Sequence, residues 1–572
     1  MTALRHPLLL LTLLCALLYL PGIADLPPFD RDEARFAQAS KQMLDSGDWL
    51  VPHFQDEPRS KKPAGIYWLQ SGSVALFSSV EAREIWAYRV PSAIGAWLSV
   101  LLTFAIGRRL FDPRTALFGA ALLGSSLLLV AEAHLAKTDA VLLATILLAL
   151  WGLSHADRGR GVDQRESAPA RGAHAGVPEA TTRAEAAARM RTHPLAWLGF
   201  WGGLGLGGLI KGPIGPAVVG LTVLGLRLLR GRWPSGRVLR PLPGLALAVV
   251  LAGAWPAALW ATGDIGFILA SAHEDLIPKI LSGQESHGAP PGTYLLALYP
   301  SFWPASLLVI PAVVAAFAHR RERGAGFCLA WAVPAWLLFA LVPTKLPHYV
   351  LPTYPALALL AGAAIVYGWG RAPTGAWRWL ARLHVAVWGL LGLGFVGALA
   401  AIPHLYAGAG LWWSLPVALA TLAGVAAATI WLWQGRRERG AAACVALSLL
   451  VLPWIGEIYG PRLDHLWVAR EVAERIPPAE ARPPLAATGF HEPSLVFLNG
   501  TDTNLTTPRG VAAHLAQHPD AYGLVTDRTW TRFQEAAAGR GLDVERIASF
   551  PGFNYSNGDP MEVRLVRRTG AQ

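Results

Sequence analysis

The sequence predicts a mainly α-helical, polytopic membrane protein that ends in a small α/β domain. Of its 572 residues, 53% are hydrophobic, only 15% are charged, and the mean hydropathy is +0.37. A soluble protein has about a quarter of its residues charged. The 24 Trp, 58 Gly and 43 Pro are typical of membrane helices with breaks and aromatic ends. These observations exclude a soluble enzyme.

Apolar segments long enough to span a bilayer recur along most of the chain. A span needs about 20 mainly apolar residues, and about thirteen segments are candidates. The first follows Arg5 and is interpreted as a retained helix, because no small-residue cleavage site follows it. The candidates are 7–26, 86–106, 115–132, 139–154, 195–210, 213–229, 243–262, 293–317, 326–342, 350–368, 386–402, 411–433 and 441–459.

Charge distribution orients these segments. The net charge of +11 would suit a nucleic-acid partner, but the basic residues lie mostly in short gaps between apolar runs, which is typical of membrane topology. We therefore expect no nucleic-acid partner. Arginine-rich loops such as 155–193 and 230–240 are placed in the cytoplasm. With an odd number of spans, the first loop (27–85) and the C-terminal tail lie outside.

The chain divides into two predicted domains. Residues 1–460 form the transmembrane domain, and residues 461–572 form a soluble α/β domain. Apolar periodicity predicts a helix from 463 to 476 and another near 529–540. Strands are predicted near 484–489, 494–498, 522–526 and 561–567.

The first outside loop carries the motif Phe29-Asp-Arg-Asp-Glu-Ala-Arg-Phe36. Asp30 and Glu33 have the spacing of a capping box that opens a helix, and Gly47 can end it. This helix should lie at the membrane surface. Asp32 and Arg35 share one of its faces. Without other evidence they would be an ordinary surface ion pair.

Lysine usage points to the same outside face. Only seven of the 49 basic residues are lysine, and none lies in a predicted cytoplasmic loop. An ammonium group suits point contact with a phosphate, which favours a functional role for Lys62, Lys211 and Lys345. The alternative is that cytoplasmic lysines were simply replaced by arginine.

Each of these lysines lies at a turn or loop beside a membrane segment. Lys62 precedes Pro63 and an aromatic anchor, where a basic cluster suits the phosphate of a lipid or attracts headgroups without specificity. Lys211 interrupts a long apolar run. A charge near the membrane is costly, so it usually has a functional or structural role. Lys137-Thr-Asp139 and Pro343-Thr-Lys-Leu-Pro-His-Tyr349 occupy similar turns.

Taken in order, these motifs resemble a known family. They are Asp32-Glu-Ala-Arg35, Lys62-Pro with Tyr67-Trp68, Thr138-Asp139, Ile210-Lys-Gly-Pro213 and Lys345-Leu-Pro-His-Tyr349. Together they resemble the polyprenyl-phosphate-dependent membrane glycosyltransferases of the GT-C fold. The closest likeness is to the ArnT-like branch, the lipid A aminoarabinose transferases, which are kin to protein O-mannosyltransferases.

The resemblance implies thirteen spans, surface helices in the first loop, a periplasmic C-terminal domain and a location in the inner membrane. It implies sugar transfer from a polyprenyl-phosphate carrier to a glycolipid or glycan acceptor by a monomer surrounded by membrane lipids. Asp32 and Asp139 would be the catalytic acids. The carrier phosphate would be bound by Arg35, Lys62, Lys211, Lys345 and His348.

The resemblance also raises a metal site. No cofactor is required, because side chains can neutralise the leaving phosphate. The aminoarabinose branch has a metal-associated Glu before the lysine of its Lys-Pro motif, but here that position is Lys61. His273 falls where the branch places a metal-associated histidine. Lys61 in place of this Glu puts the binding of a divalent metal in question, and it leaves open which sugar is transferred.

Two other functional classes remain as alternatives to a glycosyltransferase. A flippase or transporter of a lipid-linked sugar would tend to show internal repeats and mid-membrane polar residues, and the sequence shows charges on one face instead. A structural protein ranks third. Within the enzyme class, protein O-glycosylation competes with modification of lipid A or another glycan.

Overall fold

The computed structural model describes residues 6–157, 194–264, 266–271, 289–369, 376–406, 414–477, 484–555 and 558–570. The first part contains helices α1 (Pro7–Tyr19), α2 (Asp32–Ser46), α3 (Gly65–Phe77), α4 (Ile85–Leu110), α5 (Pro113–Gly124), α6 (Leu127–Ala133), α7 (Asp139–Ala156), α8 (Pro194–Lys211) and α9 (Ile214–Arg230). A two-stranded hairpin, β1 (His53–Phe54) with β2 (Glu57–Pro58), lies between α2 and α3.

The helical domain continues with α10 (Gly236–Leu239), α11 (Pro241–Thr262), α12 (Gly266–Ser271), α13 (Thr293–Ser301), α14 (Ser306–Ala316), α15 (Arg323–Leu341), α16 (Tyr354–Val366), α17 (Ala376–Tyr406), α18 (Leu415–Trp433) and α19 (Arg437–Trp454). A 3-10 segment, Pro347–Thr353, leads into α16. A π-helical turn, Ile455–Tyr459, follows α19.

The protein is a polytopic membrane protein. Among the described residues, eight helical segments are long and apolar enough to cross a membrane, or nine if the bent pair α5 and α6 is one span. Each of the thirteen predicted segments contains a helix, but some of these helices are short, such as the 13-residue α1. The count of thirteen crossings therefore stays a prediction. Peripheral helices expose large apolar side chains such as Leu242 (82%) and Leu390 (67%), as expected for surfaces in contact with lipid.

Glycine allows two of the central helices to pack closely. A Cβ at Gly152 of α7 would lie 2.4 Å from the carbonyl oxygen of Ala196 in α8. A Cβ at Gly203 of α8 would lie 2.5 Å from the carbonyl oxygen of Thr145. Small residues let membrane helices approach at the backbone, which gives dense packing where apolar burial offers little driving force. This contact supports Asp139 and Lys211, because the N-terminus of α7, where Asp139 lies, is beside the C-terminus of α8, where Lys211 lies.

The C-terminal region is an α/β unit. It contains α20 (Val468–Arg475), β3 (Leu485–Thr488), α21 (Pro493–Asn499), β4 (Asn504–Leu505), α22 (Pro508–Gln517), β5 (Tyr522–Thr526), α23 (Asp527–Ala538), β6 (Val544–Asn554) and β7 (Asp559–Arg568). The sheet order is β4-β3-β5-β7-β6. β3 is parallel to β4 and β5, while β7 is antiparallel to β5 and β6.

One strand prediction is wrong in this region. Residues 494–498 are helical, because Pro493 occupies the first turn of α21 and the short apolar run buries a helix face. Phe497 of this helix packs edge-on against Tyr88 of α4, with ring centroids 5.4 Å apart. The α/β unit therefore docks directly against the helical domain beside the first loop.

Candidate active site

A buried ion pair fixes the start of α2. Glu33 receives Nε and Nη2 of Arg89 at 2.8 and 2.9 Å, and both side chains are almost fully excluded from solvent. Glu33 also accepts the backbone N–H groups of Phe29 and Ala136, each at 2.8 Å. The remaining N–H groups of Arg89 donate to three backbone carbonyls, those of Ile23, Leu26 and Pro27. This network joins the segment between α1 and α2, the start of α2, helix α4 and the turn before α7.

The backbone just before Asp32 is strained. Arg31 is the N-terminal flanking residue of α2 and has φ 65° and ψ −102°. Such a conformation in a non-glycine residue costs about 1–3 kcal/mol and is kept only when its surroundings enforce it. The capping-box prediction is wrong for Asp30, which makes no side-chain cap. Its carboxylate instead accepts the N–H of Ser494 in the α/β unit at 3.1 Å.

A second set of charges surrounds the start of α7. Asp139 is 7% exposed, and its Oδ1 lies 2.6 Å from Nζ of Lys211. Nζ of Lys137 lies 2.9 Å from Oε1 of Glu132, which is 3% exposed. The ring of His348 stands between the two carboxylates, with Nδ1 3.9 Å from Glu132 and Nε2 4.0 Å from Asp139. Each buried acid therefore has a cation beside it, which lowers the cost of its burial.

Asp32 faces this cluster from α2, and its side chain remains accessible to solvent. Desolvation in the cleft opposes its ionisation, but the positive charges of Lys137 and Arg59 outweigh that effect and hold the pKa of Asp32 below its usual range. His348 and Lys62 act in the same direction. Asp32 is therefore an ionised, accessible carboxylate beside several cations.

Lys137 keeps its charge despite burial. Desolvation lowers the pKa of a buried ammonium group, but here Glu132 and Asp139 more than compensate and raise the pKa of Lys137 above its usual range. Asp32 contributes in the same direction. Lys137 thus links the buried cluster to the accessible carboxylate.

Five of the predicted site residues share this electrostatic neighbourhood: Asp32, Lys62, Asp139, Lys211 and His348. Nζ of Lys62 also donates to the carbonyl oxygen of Lys61 at 2.9 Å. Arg35 follows Asp32 by three residues in α2 and is partly buried.

Two other predicted residues stand apart from these five. The ammonium of Lys345 donates to the carbonyl of Val342 and lies 5.9 Å from the ring centroid of Tyr294, so its nearest described contacts are outside the cluster. His273 lies outside the described residues. In the ranges that the structure describes, no three His, Cys, Asp or Glu side chains are grouped so that they could hold a metal ion.

Several residues of the site were not predicted. Arg59 donates to the hydroxyl of Tyr67 at 3.1 Å and lies 5.0 Å over the ring of Phe36. Glu132 and Arg89 lie inside apolar segments, and a charge in such a segment is a usable signal because it is costly without a partner. Lys137 lies in the same motif as Asp139, but spacing alone gives it no role.

The arrangement favours an anionic ligand. Four cations, Arg59, Lys62, Lys137 and Lys211, meet three carboxylates, Asp32, Glu132 and Asp139. Two of these carboxylates are buried with cation partners, whereas Asp32 is open to the cleft. Such a site can bind a phosphate and present a carboxylate to the group attached to it.

Comparisons with known proteins agree with the motifs. Residues 61–161 match the family described as dolichyl-phosphate-mannose-protein mannosyltransferase. The chain is 30% identical over 396 residues to undecaprenyl phosphate-alpha-4-amino-4-deoxy-L-arabinose arabinosyl transferase 1 of Pseudomonas fluorescens, covering 68% of this chain and 65% of the relative. The corresponding protein of Pectobacterium carotovorum is 29% identical over 404 residues, with 69% and 65% covered. The alignments thus span just under two thirds of these relatives.

Solved structures show the fold. ArnT from Cupriavidus metallidurans in the apo state superposes with a TM-score of 0.69 at 19% identity, over 97% of each chain. The same protein bound to undecaprenyl phosphate gives a TM-score of 0.68 at 18% identity, again over 97% of each chain. The chain therefore shares the fold of these ArnT structures, in agreement with the GT-C fold that its motifs indicate.

Proposed function

We propose that this ArnT-like chain is an integral-membrane glycosyltransferase that takes a sugar from a polyprenyl-phosphate carrier. The observation that supports this most is the accessible, ionised Asp32 beside cations suited to a phosphate. The relatives of the chain are named as transferases that use undecaprenyl phosphate-linked aminoarabinose. With thirteen crossings, the site and the α/β unit lie on the periplasmic face of the inner membrane. The acceptor is then a lipid A-type molecule or another periplasmic glycan.

The reaction breaks the bond between the anomeric carbon of the sugar and the carrier phosphate oxygen. The electron pair leaves with the phosphate, and the nearby ammonium groups of Lys62, Lys137 and Lys211 stabilise the charge that develops there. An acceptor oxygen forms the new bond to the same carbon. Since Lys137 and Lys211 are already fixed by Glu132 and Asp139, these two cations need little reorganisation during the step.

Asp32 has one of two roles, depending on the acceptor. If the acceptor is a hydroxyl group, the carboxylate of Asp32 takes its proton as the bond forms. If the acceptor is a phosphate, it is already an anion and needs no base, so Asp32 orients the sugar. Neither route requires a metal ion.

A protein acceptor is the second candidate. It is favoured by the match of residues 61–161 to a family of protein mannosyltransferases. That match covers Lys62, Lys137 and Asp139, which act on the carrier side of the reaction. The match therefore supports a polyprenyl-phosphate sugar donor more strongly than it supports a protein acceptor.

The test uses the purified full-length protein in detergent with two donors, undecaprenyl phosphate carrying aminoarabinose or mannose. Transfer to lipid A or to periplasmic protein is followed by mass spectrometry. Asp32→Asn and Lys211→Met should each lower kcat/KM by about 10- to 150-fold, because each removes a charge-assisted contact of about 1.5–3 kcal/mol. Asp56→Asn is the matched control, since Asp56 is an exposed acid of the same loop.

Full transfer by Asp32→Asn would refute the assignment. Movement of the carrier across liposome membranes without any glycosylated product would identify a flippase instead.

A further inference from the structure

We propose that Tyr555 of the α/β unit is a positioning residue. Its hydrogen bonds to Asp30, together a clamp, hold the nearby carboxylate of Asp32 in its reactive position. The inference rests on the proposed function, because Asp32 is the accessible acid of that site. It gives the C-terminal unit a direct part in the reaction, beyond covering the cleft.

The clamp grips both the backbone and the side chain of Asp30. The N–H of Asp30 donates to the hydroxyl oxygen of Tyr555 at 2.7 Å. The hydroxyl of Tyr555 donates in turn to Oδ2 of Asp30 at 3.2 Å. The other carboxylate oxygen accepts the N–H of Ser494 at 3.1 Å. The hydroxyl of Tyr555 thus restrains both the backbone position of Asp30 and the rotation of the Asp30 carboxylate.

Tyr555 is itself held by aromatic packing that reaches back to the first loop. Its ring centroid lies 6.3 Å from that of Trp467. Trp467 packs edge-on against Phe29, with centroids 5.1 Å apart, and its indole N–H donates to the carbonyl of Gly460 at 2.7 Å. This packing therefore fixes the orientation in which the hydroxyl of Tyr555 contacts Asp30.

Asp32 lies between two anchors. On one side the α/β unit holds Asp30, and on the other Arg89 holds Glu33. Arg31, between the first anchor and Asp32, has a φ of 65°. A residue in this conformation relaxes when one neighbour is released, and the adjacent Asp32 would then move. A shift of about 1 Å in a reacting group can cost about 100-fold in rate.

The clamp can be separated from docking of the unit as a whole. Nε2 of Gln55 donates to the carbonyls of Thr501 and Thr503 at 3.0 and 2.6 Å. Nη1 of Arg83 donates to the carbonyl of Leu498 at 2.7 Å. These contacts do not involve Tyr555, so we expect the unit to remain docked when its hydroxyl is removed.

The experiment compares Tyr555→Phe with Tyr522→Phe, which removes a hydroxyl from β5 of the same unit. In full-length protein, Tyr555→Phe should lower kcat by about 10- to 100-fold and leave KM for the donor nearly unchanged. Tyr522→Phe should leave both near the wild-type values. Asp30→Ala with Tyr555→Phe should be no slower than Tyr555→Phe alone, since both changes release the same anchor.

Hydrogen exchange gives a readout that does not depend on activity. Peptides covering residues 29–36 should exchange faster in Tyr555→Phe and at the wild-type rate in Tyr522→Phe. Unchanged exchange in Tyr555→Phe overturns the clamp, as does wild-type kcat or a fall in kcat matched by the control. If the wild type transfers no sugar, the proposed function fails, while the exchange result still decides whether the clamp exists.

Discussion

The guanidinium of Arg89 and the carboxylate of Glu33 form a two-bonded ion pair, at 2.8 and 2.9 Å, that solvent does not reach. All five N–H donors of Arg89 have acceptors, three of which are backbone carbonyls of the segment between α1 and α2. The pair therefore fixes the path of the chain into Asp32 and the position of the first turn of α2.

Arg89→Met should destabilise the protein by about 3–5 kcal/mol, because it leaves the buried charge of Glu33 without a partner. Thermal unfolding in detergent would show the change as a large drop in Tm. The matched control is Arg114→Met, which breaks an ion pair with Glu438 whose side chains are 51% and 45% exposed. Exposed pairs contribute about 0–1 kcal/mol, and equal losses in the two variants would contradict this account.

Lys137→Met should lower sugar transfer more than Lys345→Met. Lys137 is held by Glu132 at 2.9 Å and its charge acts on Asp32, whereas Lys345 contacts Val342 and Tyr294. We expect a fall in kcat/KM of about 10- to 150-fold for Lys137→Met. Lys137→Arg, which keeps the charge, should recover part of the activity. A greater loss in Lys345→Met would show that the carrier phosphate binds further along the cleft.

Stability should depend on pH through Asp30. Burial raises the pKa of this carboxyl to about 7, and the charge of Glu492 adds to the rise, while hydrogen bonds from Ser494 and Tyr555 oppose it. The folded protein then keeps a proton that the unfolded chain releases above about pH 4, so stability falls as the pH rises from about 4 to 7.

Asp30→Asn removes this cost and should raise Tm relative to the wild type at pH 8, with little difference at pH 4. Asp56→Asn, in an exposed turn, should shift Tm equally at both pH values. A constant difference between Asp30→Asn and the wild type across this range would show that Asp30 does not titrate there.

Gly203→Ala should destabilise the contact between α7 and α8. The new methyl group would lie 2.5 Å from the carbonyl oxygen of Thr145 and 2.7 Å from the backbone nitrogen of Ala149, and backbone atoms cannot move aside. Overpacking of this kind costs about 1–3 kcal/mol, which thermal unfolding would detect. Gly202→Ala is the control, because a Cβ there meets nothing within 4 Å. A similar loss at both positions would contradict the packing argument.

The sequence indicates the helices well because apolar length is a local property. Strands near 522–526 and 561–567 are also confirmed, since β5 is wholly buried and β7 pairs with it. Strand β6, from Val544 to Asn554, was not predicted. Most of its side chains are exposed or partly exposed, and among the described strands it pairs with β7 alone. Its strand conformation therefore depends on its partner more than on its own sequence pattern.

The site could be predicted in its motifs but not in its contacts. Asp32, Lys62 and Lys211 can be identified from the sequence, because charged residues beside apolar segments are rare. Glu33 and Arg89 are 56 positions apart, and their pairing follows only from the fold. The same is true of Lys137 acting on Asp32, which requires the turn before α7 to reach the first helix of the loop.

Asp30 and Tyr555 are separated by 525 positions, which has a consequence for biosynthesis. A ribosome adds about 5–20 residues per second, so the first loop emerges roughly half a minute to two minutes before the phenol that holds it. During that interval the nascent chain can insert its helices and form the Glu33–Arg89 pair, but Asp30 is still without this partner. We therefore expect the first loop to reach its final conformation last, after translation has delivered the C-terminal α/β unit.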